Sequence, residues 1–256
     1  MRIIALIKQV PDTGGERRLD LTTGLLDRDA SDKIIDEINE RALEVALAYK
    51  DANKGTEVVV MTMGPEDATG TIRKALSMGA DSGIHIADAS LVGSDSAWSA
   101  EVLAAALQRE QFDLVVAGNE STDGRGGVVP IMIAEHLGLP ALGSLDSVEL
   151  SEGSVRGERA TESGSMTVSS ALPAVISVTE RAAEPRFPNF KGIMTAKKKP
   201  IGVLSLSELG LSEASGGRSV VLSTQERPAR TAGQKIVDDG SAAAQLADFL
   251  AAERLI

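Results

Sequence analysis

The residues best placed to do chemistry form one run, Gly118-Asn-Glu-Ser-Thr-Asp-Gly-Arg-Gly-Gly-Val-Val-Pro130. Gly124, Gly126 and Gly127 let backbone amides approach an anion closely. Val128 and Val129 open a helical pattern whose N-terminal N–H groups and partial positive charge favour that anion. Ser121, Thr122 and Arg125 add donors, and Gly118, Asn119, Glu120 and Asp123 complete the loop. The run has neither GxGxxG spacing nor the Lys-Ser/Thr ending of a P-loop. It reads as a nucleotide or anion site, or as a Gly-rich strand-to-helix turn with no ligand.

A second run, Glu184-Pro-Arg-Phe-Pro-Asn-Phe-Lys-Gly-Ile-Met-Thr-Ala-Lys-Lys-Lys199, offers recognition rather than catalysis. The chain has four Phe residues, and Phe187 and Phe190 both fall here, beside Ile193 and Met194. Pro185, Pro188 and Gly192 break regular structure, and such loops are ordinarily polar. Aromatic and Met side chains ringed by Arg186, Lys191 and Lys197 to Lys199 suit a docking anchor for a partner with an acidic rim. The alternative is that the two Phe side chains tuck a long loop onto the core.

Other chemistry is poorly supported. There is no Cys, which removes disulfides, thiolate metal sites and Cys nucleophiles and fits a cytoplasmic protein. His85 and His136 are the only histidines and lack metal spacing; packing or a helix-end charge suits them better. Without a base partner the Ser-rich stretches make no triad. Asp36, Glu37 and Glu40 stand where a helix begins, an ordinary place for carboxylates. A net charge of −11 argues against nucleic acid as a partner. No apolar run reaches the roughly 18–20 residues that span a bilayer, and the N-terminus runs straight into a strand pattern instead of a signal peptide.

The elements that must position these residues alternate strand and helix through residue 140. Strand patterns at 3–7, 57–62, 82–87 and 112–117 alternate with helix patterns at 38–50, 68–79, 94–107 and 128–137. Continuous apolar strands between amphipathic helices predict a doubly wound α/β fold, a mostly parallel sheet covered on both faces. Ligands of such sheets bind beyond the strands' carboxyl ends, where the strand order reverses. Shorter, more alternating runs at 147–150, 154–156, 165–169 and 174–178 predict added strands, some antiparallel, at one side of the sheet. Two domains are expected: 1–199, a nucleotide-binding unit carrying the loop 184–199, and 200–256, a linker and extended arm. The arm includes a linker at 211–219, an extended piece at 227–235 and a helix near 241–253 bearing Leu246, Phe249 and Leu250.

The chain resembles the beta subunits of electron transfer flavoproteins, actinobacterial members in particular, over nearly its whole length. The resemblance rests on Ile7-Lys-Gln-Val-Pro-Asp12, Asp36-Glu-Ile-Asn-Glu-Arg-Ala-Leu-Glu44, Ile72-Arg-Lys-Ala-Leu-Ser-Met-Gly-Ala-Asp81, Ala117-Gly-Asn-Glu-Ser-Thr-Asp-Gly124 and Leu172-Pro-Ala-Val-Ile-Ser-Val178. Glu184-Pro-Arg-Phe187, Ile193-Met-Thr-Ala-Lys-Lys-Lys199 and Arg230-Thr-Ala-Gly233 complete the set in order.

The resemblance implies a heterodimer with an alpha subunit that makes most contacts to FAD, while beta buries an AMP. It assigns the AMP pocket to Leu6, Asp36, Glu37, Ile38, Asn39, Met63 and the loop from Gly118 to Val129. It implies an electron carrier with no catalytic side chain of its own, taking electrons from acyl-CoA dehydrogenases of fatty acid oxidation and other flavin dehydrogenases to a membrane quinone oxidoreductase. Residues 184–199 match its recognition loop, with Phe187, Phe190, Lys191, Ile193 and Met194 as docking residues. Phe190 stands where a Leu anchor is usual, Thr13 where an aromatic flanks the flavin, and Thr195 where mitochondrial members carry Lys. Two alternatives are an electron-bifurcating subunit with a second FAD and NADH as donor, and a standalone adenine-nucleotide sensor.

Overall fold

A computed structural model describes residues 1–212, 218–229 and 231–256. Residues 213–217 of the expected linker, and Arg230 of the arm, lie outside the described residues. Residues 1–222 form one compact unit and residues 223–256 a second.

The first unit is built on seven parallel strands. They are β1 (Arg2–Leu6), β4 (Glu57–Met63), β5 (Ser82–Ile86), β6 (Leu114–Gly118), β7 (Ala141–Leu145), β11 (Ala174–Val178) and β12 (Ile201–Leu204), in the order β12-β5-β4-β1-β6-β11-β7. The chain starts at the centre, builds outward through β4 and β5, then returns to the other side of β1 with β6. The strand order therefore reverses between β1 and β6, where a crevice opens at the carboxyl ends.

Helices cover both faces, and alternate residues of β1 belong to different cores. Ile3 and Ala5 pack with α1 (Glu37–Ala52) and α2 (Thr69–Met78) through Leu43, Leu47, Ile72 and Leu76. Ile4 and Leu6 pack on the other face with α3 (Ser96–Leu107) and α4 (Val129–Leu137) through Trp98, Val102 and Ile133. This is the doubly wound arrangement that the continuous apolar strands predict. Asp95 caps α3 by accepting the Trp98 N–H at 2.8 Å. Pro130 sits in the first turn of α4, where its missing N–H costs no intrahelical bond.

Antiparallel structure is separate from the main sheet. A short pair, β2 (Gln9–Pro11) with β3 (Lys33–Ile35), brackets an excursion after β1. A three-stranded sheet joins β8 (Ser147–Ser151), β9 (Ser154–Thr161) and β10 (Gly164–Ala171). The run at 174–178 does not join these at the side: it is β11, wholly buried and parallel between β6 and β7. β7 and β12 form the sheet's edges and were not legible as strands. Ala-Leu-Gly-Ser-Leu in β7 is poor in β-branched residues, and β12 follows Pro200 in a Gly- and Ser-rich stretch. The second unit contains α6 (Ala242–Ala252), none of whose residues is buried.

The docking run is not wholly irregular. Asn189 accepts the Gly192 N–H at 2.7 Å and starts a short helix, α5 (Phe190–Ala196). The capping Asn outweighs the Gly that follows it.

Candidate functional site

The crevice between β1 and β6 is a cleft of about 680 Å³. Leu6, Asn39, Met63, Gly118, Asn119, Glu120, Ser121, Gly124, Gly126, Gly127, Val128 and Val129 all line it. These residues come from the ends of β1, β4 and β6, the first turn of α1 and the loop into α4. Asp36, Glu37, Ile38, Thr122, Asp123 and Arg125 do not line it. Sequence reasoning missed Lys8, Met61, Leu103, Met132, and the segment at Arg218 and Ser219. A Lys directly after β1, at the switch point, was a usable signal. Arg218 and Ser219 carried none, since they arrive from a stretch that reads as linker.

Asp36 acts beneath the cleft. It is wholly buried. Its Oδ1 accepts the N–H groups of Ile38 at 3.1 Å and Asn39 at 3.3 Å, capping α1. Its Oδ2 accepts the Thr122 N–H at 2.6 Å. One carboxylate thus joins the start of α1 to the loop that leaves β6. Close packing enforces the same junction: a Cβ on Gly118 would lie 2.4 Å from Asn39 Nδ2. Arg17 secures the loop from outside, donating to the Pro11 carbonyl at 2.8 Å, to Thr122 Oγ1 at 3.0 Å and to the Thr122 carbonyl.

Lys8 donates to Asp123 Oδ1 at 2.7 Å and to Ser121 Oγ at 3.2 Å. Burial by itself raises the Asp123 pKa. The Lys8 charge and hydrogen bonds from Lys8, Ser121 and the Gly124 N–H outweigh it, holding the carboxyl below its ordinary value. Lys8 is therefore already neutralised when a ligand arrives. Outside the cleft, Arg125 pairs with Glu120 at 3.1 Å.

Two helix N-termini open on the cleft, and they differ. That of α3 is occupied by Asp95, whose Oδ2 also accepts the Arg218 and Ser219 N–H groups at 2.7 and 2.9 Å. Those hydrogen bonds, the Trp98 N–H foremost, hold the Asp95 pKa below its ordinary value. The N-terminus of α4 has no side-chain cap at Val128. It keeps free N–H groups and an uncompensated partial charge. The apolar part of the lining is formed by Leu6, Met61, Met63, Leu103 and Met132. A flat apolar ring with an anionic tail fits both halves.

The side chains expected to dock stand clear of the core. Phe187 is 94% and Phe190 80% exposed, and Ile193, Met194 and Lys191 are exposed beside them. Phe187 and Phe190 thus do not tuck the segment onto this chain. The segment is nonetheless tied down. Arg186 makes a two-pronged bond to Glu44 on α1, Nε to Oε2 at 2.7 Å and Nη2 to Oε1 at 2.8 Å, and pairs with Asp51 at 2.8 Å. Arg41 donates to the Ala183 carbonyl at 2.6 Å. His85 is buried between Thr69 and the Gly64 carbonyl, and His136 is exposed near the end of α4. No group of side chains suited to a metal ion occurs among the described residues.

Comparison with known proteins agrees with this geometry. The electron transfer flavoprotein domain matches residues 23–209. The chain is 51% identical over 263 residues to the electron transfer flavoprotein subunit beta of Mycobacterium tuberculosis, spanning 99% of both chains. The subunit of the same name from Mycobacterium leprae is 50% identical over 265 residues, again 99% of each. A caffeyl-CoA reductase-Etf complex subunit of Acetobacterium woodii is 33% identical over 241 residues, 92% of each.

Two substitutions test the local physics. Asp36→Ala leaves three N–H groups without their acceptor and is expected to lower unfolding free energy by about 3 kcal/mol, read by urea denaturation. A loss under about 1 kcal/mol would show that water replaces the carboxylate. Lys8→Met leaves the burial of Asp123 unopposed by a charge, so its pKa rises. The depressed carboxyl contributes stability above its unfolded pKa of about 3.9, lost as pH falls through the lower folded value. In Lys8→Met the folded pKa moves up toward the unfolded value, so that loss shrinks, and carboxyl NMR titration of Asp123 should show the higher midpoint; an unchanged midpoint would rule out the ion pair as its cause.

Proposed function

The chain belongs to the electron transfer flavoprotein family, as a beta subunit, and from that premise we propose that its cleft holds AMP and its α5 segment docks flavoprotein partners. A beta subunit of this family works with an alpha subunit and a flavin as an electron carrier. The flavin is FAD, held mainly by alpha. It takes electrons from acyl-CoA and other flavin dehydrogenases and passes them to a membrane quinone oxidoreductase. No described helix is long and apolar enough to cross a membrane.

The observation that supports the nucleotide assignment is that the uncapped N-terminus of α4 and a set of apolar side chains line the same switch-point cleft. The adenine ring lies against Leu6, Met63 and the first turn of α1, and the phosphate meets the amides from Gly126 to Val129. Lys8 is paired with Asp123 and Glu120 with Arg125, so the proposed phosphate relies on the backbone amides at the start of α4. The Acetobacterium woodii relative is named as part of a caffeyl-CoA reductase complex. The corresponding reading here is a cleft filled by a second FAD.

Helix α6 presents Leu246 and Phe249, both about half exposed, with none of its residues buried. An eleven-residue helix is marginal alone, and the alpha subunit is its proposed support. Acid extraction of the native alpha–beta complex followed by nucleotide chromatography tests the cleft. The expected yield is about one AMP and one FAD per heterodimer, near full occupancy. Two FAD and no AMP would select the second reading, and a single FAD alone would remove the cleft assignment. In the same purification, a chain ending at Leu222 should bring down less alpha; full recovery would release α6 from that role.

Docking rests on Phe190. An exposed aromatic that fills a partner pocket contributes about 2 kcal/mol or more, roughly thirtyfold in affinity. Phe190→Ala should slow reduction by an acyl-CoA dehydrogenase at sub-saturating carrier, with FAD content and spectrum unchanged. Parent rates with several donors would leave the segment without a docking role.

A further inference from the structure

Helix α5 is seated on α2 by contacts that the docking role does not by itself require. The two backbones touch: a Cβ on Gly192 would lie 2.2 Å from the Ser77 carbonyl oxygen. Ala196, at the end of α5, is buried in the core shared with α1 and α2. Each helix then closes the other's C-terminal end. Arg73 of α2 donates from Nη1 to the carbonyls of Ala196 and Lys199, both at 2.7 Å. Lys199 donates in return to the carbonyl of Leu76 at 2.9 Å and to that of Ala80, where α2 ends. Lys50 reaches the same end, donating to the Gly79 carbonyl at 3.0 Å and pairing with Asp81 at 2.5 Å.

The last carbonyls of a helix need partners, and cations there complement its dipole. Yet Lys199 is held against resistance: burial, and then the Lys50 charge, lower its pKa from the ordinary value. Its neighbours differ. Lys197 and Lys198 are exposed while Lys199 turns inward, so a run that reads as one basic patch divides into solvent-facing charges and a structural cation. A seven-residue helix does not hold its shape alone. The reciprocal bonds fix it on a longer helix that is itself packed on the sheet.

We propose that Arg73, Lys199 and Gly192 are positioning residues for partner docking: they hold α5 in the pose that presents Phe190, Ile193 and Met194 outward, so that the partner meets a preformed surface. The proposal rests on the docking role given to α5 above. A surface ordered in advance loses less conformational freedom on association. Loosening the clamp should therefore weaken engagement without touching the flavin.

The test uses the complete alpha–beta complex with its FAD and an acyl-CoA dehydrogenase as electron donor. Arg73→Gln and Lys199→Gln should each raise the apparent KM for the carrier by roughly tenfold, with kcat at saturation and FAD content kept. Amide hydrogen exchange across residues 190–196 should quicken by a similar factor, roughly tenfold. Arg73→Lys keeps a cation within reach of the same carbonyls and should recover much of the loss. Gly192→Ala, which meets backbone, should behave like the clamp variants or worse. Unchanged exchange at 190–196 in both Gln variants would overturn the clamp. So would faster exchange with a parent KM while Phe190→Ala raises KM, and docking at α5 would then stand without it. A parent KM in Phe190→Ala and in every clamp variant would overturn the docking role and the clamp together.

Discussion

The carboxylate of Asp36 is the constraint on which the cleft depends. It lies out of contact with water and accepts three backbone N–H groups, two from the first turn of α1 and one from Thr122. A buried charge with fewer partners is strongly unfavourable, and one fully hydrogen-bonded holds its neighbours in a single geometry. That carboxylate is the buried hydrogen-bonding link between α1 and the loop after β6, beside the close packing of Gly118 on Asn39. The loop sets where Gly126 and Gly127 lead into α4, and hence where the free N–H groups of that helix point. Arg17 secures the same loop through side chain and backbone, but from the partly exposed side, where water competes for each bond.

Electrostatics acts on two scales here. The chain carries a net charge of −11, yet the surface around α5 is basic. At physiological salt, exposed charges are screened beyond about 8 Å, so a partner near α5 senses Lys191, Lys197 and Lys198 more than the distant acidic faces. Inside the cleft the balance is set by pairing. Lys8 with Asp123 cancels a cation, whereas Asp95 fills one helix N-terminus and leaves the other open. What the cleft offers an anion is therefore the uncapped N-terminus of α4, a set of backbone donors.

Much of this was legible in the sequence, for physical reasons. Ile3 to Leu6 and Val58 to Met61 are apolar without interruption because both sheet faces are covered. The Gly-rich run after β6 marked the cleft, and Gly118 just before it leaves no room for a side chain against Asn39. Less was legible where partners are distant in sequence. Asp36 reads as an ordinary cap, and its bond to Thr122 spans 86 residues. Arg218 and Ser219 are held at the cleft by the second oxygen of Asp95, a partner 123 and 124 residues away in sequence. Lys199 belongs to a run of three lysines, and no pattern within that run distinguishes the one that faces inward.

Helix α1 links the two functional regions. Its N-cap holds the loop of the cleft, while Arg41, Glu44 and Asp51 on its length hold the segment that leads to α5. A shared strut does not amount to a signal. Coupling between sites requires an element with two arrangements that each site biases differently. α1 is packed into the sheet by Ala42, Leu43, Ala46 and Leu47, all buried, and close-packed cores resist graded displacement. The geometry is therefore that of a fixed frame: Asp36 at one end of α1 holds the junction beneath the cleft, and α5 rests on α2 beside it.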